Sequence, residues 1–160
     1  MNRMSDLNRR DLLRLGAAGL AGAGRSLSAP PPALSIAHYR SSPTAKEAIA
    51  EEAKALTRKA IEALGGMQRF VSKGNAVWVK PNIGWDRSPE QAATSNPDVV
   101  AAIVEMCFQA GARKVTVSDN PCNSAHRTFP RSGIQQSAQK MGAQVFFLDE
   151  RKFRKMAIKG

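Results

Sequence analysis

Apolar positions recur along this chain in two alternating rhythms. From Ala45 to Leu64 the residues Ala45, Ala48, Ile49, Ala53, Leu56, Ala60, Ile61 and Leu64 fall three or four positions apart, with Lys46, Glu47, Glu51, Lys54 and Lys59 among them. That spacing gathers the apolar set on one face of a helix and puts the charges on the others. Gly65 and Gly66 stop it. Ala76-Val77-Trp78-Val79 is a short continuous apolar run, the pattern of a buried strand. A second helix is predicted from the capping residue Asn96, with Pro97 at its first position, to Ala110 before Gly111. Val115-Thr116-Val117 and Val145-Phe146-Phe147-Leu148 read as further strands. Between them a shorter helix runs around Ile134 to Met141 and ends at Gly142. Ahead of the first helix, Ala33 to Tyr39 reads as another strand, followed by Ser41, Ser42, Pro43 and Thr44 as a helix-starting cluster.

Strands alternating with helices predict an α/β fold: a Rossmann-like three-layer domain with a mainly parallel sheet, right-handed crossovers and helices on both faces. A chain of 160 residues, 42% of them apolar, has material for one core, so residues 34–160 are expected to form a single domain. Its last strand lies close to Gly160, so the domain is either minimal or the N-terminal part of a longer one.

The first thirty residues follow another pattern. A basic start leads into Leu12, Leu13 and Leu15, a small-residue stretch from Gly16 to Gly24, then Ser26-Leu27-Ser28 and the prolines Pro30 to Pro32. Asn8-Arg9-Arg10-Asp11-Leu12-Leu13-Arg14 resembles a twin-arginine signal, with Arg9 and Arg10 as the pair and Leu12 where Phe is usual. Residues 1–28 are therefore read as an export signal and 29–33 as a proline-rich hinge; a basic amphipathic surface helix or an uncleaved anchor is the alternative. The signal implies a bacterial periplasmic protein, with the twin-arginine translocation machinery as a partner and a passenger folded before export. No segment approaches the roughly 20 apolar residues of a membrane span.

Charge and cysteine content narrow the chemistry. The net charge is +11, of which residues 1–28 hold +3, leaving +8 in the rest of the chain. Such an excess points to nucleic acid, an anionic membrane or a small anion. Nucleic acid is disfavoured by the absence of a reading motif and the single Tyr. Arg151, Lys152, Arg154, Lys155 and Lys159 crowd the last ten residues, as a solvated edge or a surface for an anionic partner. Two cysteines cannot supply the four thiolates of an iron–sulfur cluster, so none is expected from this chain alone.

In an open parallel sheet, ligands favour the crevice beyond the strand carboxyl ends. Here that rim is formed by the loops after Val79, Val117 and Leu148. Lys80-Pro81-Asn82 offers a point charge and an amide, or merely ends a strand. Thr94-Ser95-Asn96-Pro97 opens a helix whose free N–H groups can take an anion, although capping alone also explains it. Ser118-Asp119-Asn120-Pro121-Cys122 brings a carboxylate, an amide and a thiol, with His126 four residues on. Asp119, Cys122 and His126 are a candidate metal set without a standard zinc spacing; the plain reading is a turn, a small half-buried Cys122 and an exposed His126. A reactive Cys122 would need Lys80, Arg127 or a helix start beside it. Cys107 falls on the apolar side of its helix and reads as core.

Val77-Trp78-Val79-Lys80-Pro81-Asn82-Ile83-Gly84-Trp85, then Thr94-Ser95-Asn96-Pro97, Gly111-Ala112-Arg113-Lys114-Val115 and Ser118-Asp119-Asn120-Pro121, resemble the domain of unknown function 362 family. The resemblance runs from about Leu34 to Ile158. It implies that Lys80, Asn82, Thr94, Asn96, Asp119 and Asn120 are candidate ligand-binding residues, and it brings no catalytic assignment. Members are often described as iron–sulfur proteins because some carry ferredoxin-type cysteine motifs; this chain has no such motif, so that association does not carry over. The function expected is binding of a small anionic ligand or cofactor at the rim, in redox metabolism and with a redox partner protein. The alternative is a non-enzymatic partner-binding or accessory module of the periplasm.

Overall fold

The computed structural model describes residues 30, 32–39 and 42–158. The expected export signal, with Arg9 and Arg10, lies outside the described residues, as does part of the hinge. The elements below all belong to the compact unit Pro31–Gly160. The described residues form four α-helices, α1 (Lys46–Ala63), α2 (Pro97–Gln109), α3 (Ala125–Arg131) and α4 (Ile134–Lys140). The strands are β1 (Ala76–Val79), β2 (Lys114–Val117) and β3 (Gln144–Val145), all parallel, in the order β1-β2-β3. The α/β class and the parallel sheet are as the sequence predicts. No described helix is long and apolar enough to cross a membrane.

Strand order sets the layering. Parallel neighbours joined in chain order by crossovers of one hand carry their helices on one face. Register aligns Val77 with Val115, and Val79 with Val117 and Val145. These side chains share one core with Val100, Val104 and Cys107 of α2, Phe129 of α3, and Ile134 and Ala138 of α4. By the alternation of side chains, Trp78, Thr116 and Gln144 lie on the opposite face. There Trp78 is 55% exposed and meets the exposed ring of Phe146 edge to face at 5.2 Å. The described residues thus build two of the three expected layers and leave the Trp78 face open. Helix α1 lies against α2 on the helix side, tied by the Arg58–Glu105 ion pair.

Three local expectations change. Residues 34–39 form no strand and pair with none of the described strands, leaving Leu34 and Ile36 well exposed. An apolar run supplies side chains for a sheet, but a strand also needs a neighbour's N–H and C=O groups. The last strand pairs only at Gln144 and Val145; the Phe146 carbonyl instead accepts from the Ser118 hydroxyl at 2.8 Å. Helix α3 was not foreseen, because Pro130 lies inside it and its sequence, AHRTFPR, is mostly polar. At the turn into β2, Gly111 adopts φ +98°, and a Cβ there would come within 3.1 Å of the Lys73 Cα. Only glycine suits both demands.

Candidate functional site at the carboxyl rim of the sheet

Because β1 and β2 are adjacent and parallel, the residues that follow them emerge side by side. Lys80 Nζ meets Asp119 Oδ1 at 2.8 Å, and the Ile83 N–H donates to Asp119 Oδ2 at 2.7 Å. The Asp119 side chain is 5% exposed, whereas that of Lys80 is 68% exposed. Burial pushes the Asp119 pKa up, but Lys80 and the Ile83 and Asn120 N–H groups outweigh it and hold the carboxyl below its ordinary value. A carboxylate held ionised by three donors is a weak proton acceptor. Asp119 therefore fits the role of positioning Lys80 better than that of a base. An ammonium has three donors, and Asp119 Oδ1 takes one.

The neighbouring loops are laced to this pair. Asn82 N–H donates to Ser95 Oγ at 3.0 Å, and Ser95 N–H donates to the Asn82 carbonyl at 2.8 Å. The Asn82 side-chain oxygen accepts from the Gly84 N–H, an Asx turn that uses one of its groups and leaves the residue exposed. Gly84 O accepts from Cys122 N–H, and Asn123 Oδ1 accepts from Asp86 N–H. Ile83, fully buried, pins the loop after β1 to the core. Lys80, Asn82, Asp119 and Asn120 are thus brought together, with Thr94 attached through its neighbour Ser95. Thr94 Oγ1 is buried and has no hydrogen-bond partner among the described residues.

Asn96 belongs to the helix rather than the rim. Its side-chain oxygen accepts from the N–H groups of Asp98 and Val99 at 2.8 and 3.2 Å, capping α2. It also borders a hollow formed by Thr44, Ile49, Pro89, Pro97 and Gly133, whose lining includes neither Lys80 nor Asp119. Replacing Asn96 with Ala is expected to cost about 1 kcal/mol of stability, measured by urea denaturation.

Among the described residues no three His, Cys, Asp or Glu side chains are grouped to hold an ion, Asp119, Cys122 and His126 included. Asp119 is committed to Lys80 and Ile83, and the His126 ring packs edge-on to Phe147 at 4.6 Å. Cys122 is exposed rather than half-buried. Two of the cations proposed to activate its thiol are engaged elsewhere, Lys80 by Asp119 and Arg127 by Asp86. Cys107 is buried, and burial pushes its thiol pKa up, as for a core cysteine.

Sequence reasoning missed Asp86. This carboxylate, 7% exposed, receives Arg127 Nη2 on Oδ2 at 2.6 Å. The only available signal was the four-residue spacing of Arg127 and Arg131, which matters once α3 is known to be a helix.

Residues 77–160, more than half of the chain, match the family described as Domain of unknown function (DUF362). The chain belongs to that family. The DUF362 stretch contains every rim residue above and α3, while α1 and residues 34–39 precede it. A stretch of 70 residues is 36% identical to Thylakoid-associated protein sll1697 of Synechocystis sp., covering 44% of this chain and 22% of that protein. The match therefore spans about a fifth of that relative's length. No solved structure matches the chain.

Proposed function

We propose that this DUF362 chain binds a small anionic ligand or cofactor at the carboxyl rim of its sheet. Lys80 supplies the charge, Asp119 holds the ammonium in place, and Asn82, Asn120 and Thr94 offer orienting polar groups. The observation that carries this reading is the exposed Lys80 ammonium fixed by a buried carboxylate between adjacent strand ends, with two donors to spare. Delivery by the twin-arginine route and a role in redox metabolism extend the proposal, supported by the Asn8 to Arg14 pattern and the family resemblance. The test is native mass spectrometry with elemental analysis of the chain exported by its own signal. A stoichiometric adduct, lost in a folded Lys80→Ala variant, is the expected result; a clean apo mass in the wild type overturns it.

A second reading, a non-enzymatic partner-binding module, is favoured by the open Trp78 and Phe146 face. In that case the rim residues serve the turns alone, and Trp78→Ser rather than Lys80→Ala abolishes the functional interaction.

A further inference from the structure

Beyond the rim, three guanidinium groups converge on Asp86. Arg127 Nη2 lies 2.6 Å from Oδ2, Arg131 Nη1 lies 3.8 Å from Oδ1, and Arg87 Nη1 donates to the Asp86 main-chain oxygen at 2.9 Å. Asp86 is 7% exposed, and its Oδ1 is buried without a hydrogen-bond partner among the described residues. The arginine side chains, in contrast, reach solvent, Arg127 at 73% and Arg131 at 54% exposed. Arg127 and Arg131 stand one helical turn apart on α3, so both project from one face. Three cationic groups and one carboxylate leave an excess of two positive charges. Most of their N–H donors are not used by Asp86.

From this geometry we infer that Arg87, Arg127 and Arg131 form a binding site for a phosphate group. A planar guanidinium fork matches the oxygens of phosphate or carboxylate. The charge selects between them: Asp86 already occupies the place of one monoanion, and the remaining excess of two matches a phosphomonoester dianion. Asp86 holds the guanidinium groups near one another before the ligand arrives, which lowers the ordering cost of binding. The site shares no residue with the Lys80 rim, so the two readings stand or fall separately.

The test is calorimetric titration of inorganic phosphate into the full chain at low ionic strength, where exposed charges are least screened. Saturable binding is expected, about tenfold weaker in Arg131→Ala and unchanged in Lys59→Ala, which removes an exposed charge on α1. Asp86→Asn keeps a side-chain oxygen to hold Arg127 in place while removing the competing negative charge, so it is expected to tighten binding several-fold, which a purely structural role for the cluster does not produce. If Asp86→Asn does not fold, Arg131→Ala decides alone, since Arg131 donates no hydrogen bond to Asp86. Absence of saturable binding to the wild type, or loss in Lys80→Ala with none in Arg131→Ala, overturns the site. Vesicles of phosphatidylcholine with phosphatidic acid separate the sources of the phosphate. Capture that requires Arg131 and is competed by inorganic phosphate assigns a lipid headgroup to this site; calorimetric binding without capture assigns a soluble phosphate compound; Arg131-independent capture counts against the site.

Discussion

Replacing Asp119 with Ala is expected to lower stability by about 2–3 kcal/mol, while replacing Lys80 with Ala costs less than about 1 kcal/mol. The two residues share one ion pair, yet their positions make them unequal. Asp119 is buried and also accepts from the Ile83 N–H, so its removal orphans a buried donor beside a fully buried residue. Lys80 is mostly exposed; its removal leaves Asp119 still bonded to main-chain donors, and water can approach from the side that the ammonium vacates. Urea denaturation of both variants measures the asymmetry, and equal losses would show that the pair rather than the Ile83 bond holds the loop. The pH dependence follows from the lowered Asp119 pKa. A carboxyl whose folded pKa is depressed contributes stability above its unfolded value, about 4. That contribution fades as pH falls from there through the folded value. The gap between wild type and Asp119→Ala should therefore be full at pH 7 and narrow below about pH 4.

How far the sequence discloses this arrangement depends on whether the information is local. Helices α1 and α2 were legible because apolar spacing, the Asn96-Pro97 start and the glycine stops act within each segment. The meeting of Lys80 and Asp119 was legible as a shared rim, since parallel strands bring their following loops to one end. Layering was not. Val77-Trp78-Val79 reads as a strand covered on both faces, yet Trp78 lies on the open one, because strand order is set by tertiary pairing. Asn96 offered a cap and an anion site in the same residue, and its bonds to Asp98 and Val99 establish the cap. Asp86 was hidden for a different reason. The ion-pair partners of its carboxylate, Arg127 and Arg131, lie more than 40 positions away on a helix that Pro130 disguises, so neither the loop nor the helix marked the other.

The ring of Phe129 is what makes that hidden cluster dependent on the core, and Phe129→Ala is expected to cost about 3–5 kcal/mol. Phe129 is fully buried and packs edge to face on Phe147 at 4.9 Å. Helix α3 has seven residues, too few to persist by its own hydrogen bonds. Its buried residues are Phe129 and Thr128, and the Thr128 hydroxyl turns back to the Ser124 carbonyl within the same segment. The aromatic ring is therefore the main apolar anchor from α3 into the sheet layer. Losing it should loosen α3 as a unit and with it the approach of Arg127 and Arg131 to Asp86. Urea denaturation gives the total loss, and amide hydrogen exchange locates it: exchange across Ala125 to Arg131 should accelerate more than exchange in α2. Phe129→Leu, which keeps most of the apolar volume, should retain most of the protection. The coupling to the ion pair is measurable too. If the ring positions Arg127, then Phe129→Ala and Arg127→Ala will be less than additive, because the first change already weakens the contact that the second removes. Full additivity would mean that α3 keeps its place without the ring, and that the Arg127–Asp86 bond, rather than aromatic packing, secures this helix.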